Sequence, residues 1–293
     1  MIQPQSDLPQ PDLPRPYRSV LYIPGANDRA LDKAASLPCD AIIFDLEDAV
    51  APEEKPRARA LVAEKLRTTD YGNRARIVRI NALDTIWGRE DCLTFADTPP
   101  DAILIPKVSR PEHVEAVAVL VPDLPLWAMM ETAVVAWHAA NVAAHPRIQG
   151  FVVGTNDLAK DIGARYRPDR MPLLTAMSLC LLAGKAHGRI VIDGVYNAFK
   201  DDEGLRAECD QGRDMGFDGK TLIHPAQIAI ANQVFAPSEA ELTTARAQIA
   251  AYAEAGRAGR GVAVVEGRIV ERLHVVAAER IIARAAAIAA SGL

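Results

Sequence analysis

The sequence lacks the features that mark several large classes of protein. Its 33 lysines and arginines against 38 acidic residues give a net charge of −5, which leaves no basic field for a nucleic acid. The four cysteines are scattered without metal-ligand spacing, which is typical of unpaired thiols in a reducing compartment. The longest apolar run, residues 171–184, is too short and interrupted to span a bilayer. We expect neither a nucleic-acid nor a membrane partner.

Signals for export and for several common catalytic nucleophiles are also missing. No charged-then-apolar leader opens the chain, so we expect a cytoplasmic location. No GxSxG motif, P-loop or Cys–His nucleophile pattern is present. The first sixteen residues contain five prolines among polar residues, and this composition predicts a disordered tail over residues 1–16.

Eight short apolar runs recur along the rest of the chain, separated by segments long enough for a helix: SVLYIPG, AIIFDLE, RIVRIN, AILIPK, LWAMME, GFVVGTND, RIVIDGV and GKTLIHP. Such runs are typical of parallel strands joined by right-handed helical crossovers. We therefore predict an α/β fold, a (β/α)8 TIM barrel that forms a catalytic domain over residues 17–235. Residues 236–293 exceed what the barrel needs, and we predict a helical lid or oligomerisation segment there.

Polar side chains stand near the ends of almost all these runs. In a TIM barrel the active site lies at the carboxyl ends of the strands, so these side chains are predicted to share one mouth. Helix N-capping is the alternative explanation for any single one of them. The set comprises Asp45, Glu47, Arg79, Asn81, Lys107, Glu131, Asp157, Asp193 and His224.

Two of these residues, Glu131 and Asp157, predict a metal site. At the ends of separate core strands they would face each other across one pocket, where a divalent cation relieves their mutual repulsion best. Mg²⁺ usually keeps several waters, so two protein carboxylates suffice, and Mn²⁺ is a possible substitute. The alternative is that each carboxylate pairs with a buried arginine or lysine.

Arg79, inside RIVRIN, is predicted to point to the mouth. Beside a metal its guanidinium can clamp a carboxylate or polarise a developing oxyanion. Asp45, Glu47 and Asp48 form a second acidic cluster, which could bind metal-bound water or orient Arg79. The alternatives are a structural ion pair between Arg79 and these acids, and helix capping by Asp48.

Basic residues near the predicted rim could receive the phosphates of a long anionic cofactor. Arg18 precedes the first strand, and Lys55, Arg57 and Arg59 follow the second one. A solvated helix face is the ordinary alternative. The roles of Lys107 and His224 stay open between site chemistry and structure.

Several motifs, in order, resemble the citrate lyase β-subunit-like members of the HpcH/HpaI aldolase and citrate lyase family: RSVLYIPG, IIFDLEDAV, VRIN, META, GTNDLAKDIG and FDGKTLIHPAQ. The resemblance covers nearly the whole chain after the tail. It implies a barrel that binds Mg²⁺ and acts on carbon–carbon bonds of acyl-CoA or acyl-carrier thioesters. CoA would then be part of the substrate.

The resemblance also implies roles for individual residues. Glu131 and Asp157 correspond to the Mg²⁺ ligands, and Arg79 to the residue that contacts the substrate oxygen at the reacting carbon. Asp45 and Glu47 would be supporting acids. The set that would contact the CoA phosphates is Arg18, Lys55 and Arg59.

The C-terminal segment departs from the family pattern. Lyases of this family usually carry an aspartate in a GK-x-x-D segment, which the lid of a neighbouring subunit contributes as acid or base. Here the sequence reads GRIVERLH, and Glu271 takes that place with one more methylene. Because misplacement by about an ångström can cost on the order of a hundredfold in rate, this change puts carbon–carbon cleavage in doubt and favours water activation. A lid that acts on its neighbour implies a homo-oligomer, a trimer or a hexamer.

This departure, together with the segments DLPLWAMMETA, IDGVYNAF and GLRAECDQGRDMGFDGKTLIHPAQ and the VERLH tail, resembles the thioesterase branch of the family. The resemblance implies Mg²⁺-dependent hydrolysis of (3S)-malyl-CoA to malate and CoA. Glu271 or an acid of the Asp45 cluster would prepare the water. The alternatives are a malyl-CoA, methylmalyl-CoA or citramalyl-CoA lyase, a carrier-dependent lyase subunit, and a non-catalytic subunit that binds CoA esters.

Overall fold

The eight apolar runs form eight parallel strands that close into a barrel in chain order, which confirms the predicted (β/α)8 TIM barrel. The computed structural model describes residues 15–293, so the predicted tail over residues 1–16 lies almost wholly outside the described residues. The strands are β1 (Ser19–Pro24), β2 (Ala41–Asp45), β3 (Ala75–Arg79), β4 (Ala102–Ile105), β5 (Leu126–Met130), β6 (Ile148–Val153), β7 (Ile190–Asp193) and β8 (Gly219–Leu222).

Helices alternate with these strands and cover the outside of the barrel. Polar and charged side chains face away from the strands on most of them, as expected for helices packed on one face. The helices up to the end of the barrel are α1 (Asp28–Ala34), α2 (Lys55–Thr68), α3 (Gly88–Asp97), α4 (Pro111–Leu120), α5 (Ala133–Ala144), α6 (Thr155–Asp161), α7 (Leu174–Ala186), α8 (Asp202–Met215) and α9 (Ile228–Phe235).

Two apolar cores result from the two sides of each strand. One lies inside the barrel and includes Ile43, Ile77, Leu104 and Trp127, and the other lies between the strands and the helices. Trp127 packs against Tyr17 with 5.2 Å between ring centroids, near the amino ends of the strands. Because side chains fill the interior, the barrel is a packed scaffold, and an active site is expected at the mouth formed by the carboxyl ends of the strands.

The segment after α9 consists of two long helices and a hairpin: α10 (Glu239–Arg257), β9 (Ala263–Val265), β10 (Arg268–Val270) and α11 (Arg272–Ser291). Glu266 and Gly267 join the two strands with positive φ angles of 48° and 74°, as a two-residue type I′ turn requires. The predicted helical segment over residues 236–293 therefore contains a hairpin as well.

The far end of α11 lies at the amino ends of the barrel strands. Arg284 Nη2 donates to the backbone oxygen of Asp218, 2.6 Å away, and Asn73 Nδ2 donates to that of Ser291, 3.0 Å away. Asp218 directly precedes β8, and Asn73 precedes β3. Within one chain, this part of the tail thus packs at the end opposite to the carboxyl ends of the strands.

Candidate active site

Glu131 is a buried carboxylate with one unsatisfied oxygen. It follows β5 directly and is only 1% exposed. Its Oε1 accepts a hydrogen bond from the backbone nitrogen of Lys107 at 2.7 Å, but Oε2 has no partner among the described residues. Burial raises the pKa of this carboxyl to about 7. A buried carboxylate with a free oxygen is costly unless a cation or a proton satisfies it.

Asp157 shares a cavity with Glu131, although its place in the fold differs from the prediction. It lies in the first turn of α6 and not at the end of a strand, because β6 already stops at Val153. Both carboxylates line the same cavity, and the negative charge of Asp157 adds to the effect of burial in raising the pKa of Glu131. Among the described residues, neither carboxylate forms an ion pair or a side-chain hydrogen bond with a buried arginine or lysine. The alternative explanation, that each carboxylate pairs with a buried cation, is therefore unsupported.

Gly154 makes the close approach of these two elements possible. A Cβ at this position would lie 2.5 Å from the Cβ of Glu131 and 2.6 Å from its Oε2. Any larger residue would therefore displace the carboxylate. The turn between β6 and α6 is shaped around Glu131.

Arg79, at the end of β3, is held rigidly at the mouth. Its Nε and Nη2 donate to the two oxygens of Asp45 at 2.7 and 2.6 Å, and its Nη1 lies 3.0 Å from Glu47 Oε2. The guanidinium also lies 5.0 Å from the centre of the Tyr22 ring. Burial opposes its charge, but Asp45 more than offsets this and raises the pKa of Arg79. The ion pair fixes the guanidinium, which still lines the cavity.

The second acidic cluster supports Arg79 from one side. Asp45 accepts hydrogen bonds from the backbone nitrogens of Glu47 and Ala49 in addition to the two from Arg79, so its acceptor sites are taken. Glu47 forms an ion pair with Lys107 Nζ, and burial raises its pKa. Asp48 does not cap a helix; it lines the cavity with its carboxylate 3.5 Å from Arg79.

These side chains surround a cavity of about 300 Å³ at the carboxyl ends of the strands. Sequence reasoning missed Tyr22, Thr155 and Asn197. Tyr22 could have been predicted, because side chains alternate along the strand SVLYIP and Tyr22 falls on the side that faces Arg79. Asn197 lies in a loop whose path the sequence does not indicate. The lining residues include Tyr22, Asp45, Asp48, Arg79, Met129, Glu131, Gly154, Thr155, Asn156, Asp157, Asn197 and Thr221.

The donor set fits Mg²⁺. Within residues 15–293 no cluster of three or more His, Cys, Asp or Glu side chains has the geometry of a complete metal site. Two carboxylates, one with an unsatisfied oxygen, are what Mg²⁺ takes when water and substrate oxygens supply its remaining ligands. Glu131 and Asp157 are therefore the residues that could hold the ion.

The structure does not bring the predicted CoA-binding arginines and lysine to this cavity. Arg18 precedes β1 and so lies at the amino end of the barrel, where it forms a buried bidentate pair with Asp40 at 2.9 and 2.7 Å. Lys55 is buried and donates to two backbone oxygens and to Asn81. Arg59 donates to Asp91 at 2.6 Å. All three cations have structural partners, and their contact with CoA phosphates stays a prediction.

Three other polar residues from the strand ends also have structural roles. Asn81 bridges Lys55 and Asp91. Asp193 points to the helical layer, where Arg170 and Lys220 neutralise it and hold its pKa below the ordinary value despite burial. His224 caps the short turn that precedes α9.

Glu271 does not line the cavity of its own chain. It is an exposed residue at the N-terminus of α11, where its side chain and that of His274 form a reciprocal cap. In one chain it therefore cannot take part in chemistry at Glu131. Its predicted role requires a second copy.

The barrel and this constellation define a class of enzyme. Residues 18–225 match the HpcH/HpaI aldolase/citrate lyase family, and the chain belongs to that family. It is 66% identical over 275 residues to the (3S)-malyl-CoA thioesterase of Cereibacter sphaeroides, an alignment that covers 94% of this chain and 96% of that protein. It is 35% identical over 307 residues to the L-malyl-CoA/beta-methylmalyl-CoA lyase of the same species, covering 94% and 96% of the two proteins.

A solved structure supports the fold over nearly the whole chain. Protein CitE from Mycobacterium tuberculosis, in complex with magnesium, acetoacetate and coenzyme A, superposes with a TM-score of 0.80 at 31% identity. The match covers 94% of this chain and 100% of that one. None of the helices in residues 15–293 is both long and apolar enough to cross a membrane.

Proposed function

We propose that this protein is a Mg²⁺-dependent thioesterase that hydrolyses (3S)-malyl-CoA to malate and CoA. The observation that carries the metal-dependent part is the paired carboxylates Glu131 and Asp157, one with an unsatisfied oxygen, beside Arg79 in one cavity. The substrate follows from the 66% identity to the malyl-CoA thioesterase of Cereibacter sphaeroides. CoA is thus a part of the substrate.

Glu131 and Asp157 would hold Mg²⁺, and Mn²⁺ is a possible substitute with the same ligand preference. When bound, the ion supplies Lewis-acid polarisation and orientation of the oxygens of the malyl head group. Arg79 stabilises negative charge that develops on the substrate oxygen, because Asp45 holds its guanidinium in place before the reaction starts. Tyr22 stays neutral beneath Arg79, since burial raises its pKa.

Glu271 of the partner subunit is the proposed base for the attacking water. Asp45 already accepts four hydrogen bonds, and Glu47 forms ion pairs with Lys107 and Arg79, so both acids serve to position Arg79. Glu271 is exposed and lies in the tail beyond the barrel. The proposal thus includes a homo-oligomer, a trimer or a hexamer, in which residues 236–293 serve as lid or contact, and a cytoplasmic location.

A carbon–carbon lyase is the second candidate, favoured by the 35% identity to the malyl-CoA lyase. The two reactions differ in their products: hydrolysis gives malate and free thiol, whereas cleavage gives glyoxylate and acetyl-CoA. We expect one free thiol for each (S)-malyl-CoA consumed, dependence on Mg²⁺ after treatment with EDTA, and no glyoxylate. If glyoxylate forms in an amount equal to the substrate consumed, the protein is a lyase instead. If the protein binds the CoA ester but does not turn it over, it is a non-catalytic subunit.

A further inference from the structure

Two neighbouring helices of the barrel, α5 and α7, carry almost no charge. The twelve residues of α5 include no Asp, Glu, Lys or Arg, and the thirteen residues of α7 include only Lys185. On α2, by contrast, six of fourteen residues are charged. A helix on the outside of a barrel normally presents charges to water, so an uncharged pair is typical of a face covered by protein.

Large apolar side chains are exposed on this pair. Trp137 on α5 is 82% exposed and Leu182 on α7 is 67% exposed. The exposed apolar residues follow each other at helical spacing, since Val134 and Trp137 are three residues apart and so are Leu179 and Leu182. We call the following set the α5–α7 face: Val134, Trp137, Ile162, Met171, Leu179 and Leu182.

The elements that carry the α5–α7 face are neighbours in the fold. Helices α5 and α7 pack against each other. The backbone nitrogen of Ala133, the first residue of α5, donates to Asp161 Oδ2 at 2.6 Å, which brings the end of α6 and the neighbouring Ile162 beside Val134. Met171 lies in the short turn that leads into α7. The face therefore runs from the rim of the mouth down the side of the barrel.

The size of this face approaches the area that one partner buries in a standard interface. Six apolar side chains exposed to this degree present an apolar surface on the order of 600 Å². This area is at the upper limit for the largest apolar patch on a typical monomer, and it is not far below the ~800 Å² that each partner buries in a standard interface. A membrane surface is not a suitable occupant, because helices that bind one are rich in lysine and arginine on their polar side.

We propose that the α5–α7 face binds the same face of a second copy of this chain. An interface with twofold symmetry brings each residue near its own counterpart, so a charged patch would repel itself and an uncharged one does not. Exposed alanines beside Trp137, Ala140 and Ala144, allow the two helix pairs to approach closely. This inference rests on the hexameric form of the proposed homo-oligomer and adds the surface on which its two trimers meet.

Mass measurement by light scattering after gel filtration tests the proposal. We expect Trp137→Glu and Leu182→Glu each to halve the mass of the wild-type assembly, because each buries a charge in the pair of faces. The controls are Ile86→Glu and Val119→Glu, at apolar residues that are 83% and 70% exposed on other parts of the surface, and these should keep the wild-type mass. Circular dichroism checks that all four variants fold.

The possible outcomes separate the two claims. A wild-type protein that is monomeric would overturn both the homo-oligomer and this interface, and a wild-type trimer would overturn the interface alone, because a trimer has no twofold axis. If Trp137→Glu and Leu182→Glu keep the mass of the wild-type oligomer, the interface alone is overturned. The same follows if the control variants dissociate as much as these two variants do. A second readout is the quenching of Trp137 fluorescence by acrylamide, obtained as the difference between wild type and Trp137→Phe. We expect Trp137 to be shielded from acrylamide in wild type and to lose this shielding in Leu182→Glu. A Trp137 that acrylamide reaches in the wild-type assembly would contradict the proposal.

Discussion

At the residue scale, Glu131 differs from the acids around it because it forms no ion pair with a lysine or arginine among the described residues. The oxygens of Asp45 are taken up by four donors, and Glu47 has Lys107 and Arg79 as partners. Glu131 Oε2 has no donor within the described part of the chain. The acids with partners thus position Arg79, while the acid without one is available to a cation.

Binding of Mg²⁺ should depend on pH through Glu131. Burial raises the pKa of its carboxyl to about 7, and the metal needs the ionised form. At about pH 6 roughly one carboxyl in ten is ionised, so we expect Mg²⁺ affinity to be about tenfold weaker there than at about pH 8. Calorimetric titration of the metal-free protein measures this affinity, and equal affinities at both pH values would speak against the assignment of Glu131.

The same shift has a consequence for the stability of the metal-free protein. Because the pKa is raised on folding, the folded state binds the proton more tightly, and the contribution of Glu131 to stability is lost as the pH rises from about 4.5 to about 7. Glu131→Gln has a neutral side chain at every pH, so it should lack this pH dependence of stability. The variant therefore serves as the control when the free energy of unfolding is followed against pH.

Arg79 should be required for turnover in a way that lysine cannot replace. Lysine lacks the planar fork that binds both oxygens of Asp45, so its charge would not be held in place. We expect Arg79→Lys to lower kcat/KM by about 10²- to 10³-fold, the usual effect of losing one oriented donor to a developing oxyanion. Arg57→Lys, at an exposed arginine paired with Glu54, is the matched control and should stay near wild type. A similarly small loss in Arg79→Lys would remove it from the mechanism.

At the scale of elements, the apolar runs were sufficient to predict the barrel, because each run of parallel strand is buried on both sides and leaves a clear signal. Contacts between distant elements left no such signal. Lys55 and Asp193 were predicted at the mouth from strand order, but their partners come from other elements that the sequence does not pair with them. The location of Arg18 was predictable, since a residue that precedes β1 lies at the amino end.

The turn between β6 and α6 yields a prediction of its own. In Gly154→Ala the new Cβ would lie 2.6 Å from Glu131 Oε2, so the carboxylate must move away from its present position. We expect Mg²⁺ affinity to fall at least about tenfold, since a ligand site tolerates little displacement. Gly256→Ala in α10, with no neighbouring atom within 4 Å, is the control and should bind Mg²⁺ as wild type does. Unchanged metal binding in Gly154→Ala, measured by the same titration, would show that Glu131 is not a ligand in this position.

At the scale of the whole molecule, the tail and the mouth lie apart within one chain. The end of α11 is anchored at the amino ends of the strands through Arg284, and Glu271 does not line the cavity. A complete site, as proposed, therefore needs the barrel of one copy and the tail of another. This arrangement can be tested without knowing the geometry of the assembly.

Mixing two inactive variants should restore part of the activity. Glu131→Gln damages the barrel site and Glu271→Gln damages the tail, so a mixed oligomer contains some sites with both groups intact. We expect each variant alone to be nearly inactive and the mixture, after subunit exchange, to regain up to about a quarter of wild-type turnover. A mixture no more active than its parts, with exchange verified by mass, would contradict catalysis across subunits.

The most direct test of the proposed function follows the atoms of the substrate. (S)-Malyl-CoA is incubated with Mg²⁺ and enzyme in water enriched in both oxygen-18 and deuterium, and the malate is analysed by mass spectrometry. Direct hydrolysis at the thioester predicts one oxygen-18 in the new carboxylate, no deuterium on the methylene carbon and no glyoxylate. Glyoxylate with acetyl-CoA would show that the carbon–carbon bond breaks, and malate that carries deuterium on that carbon would show that the thioester enolate forms. Either result would contradict direct hydrolysis.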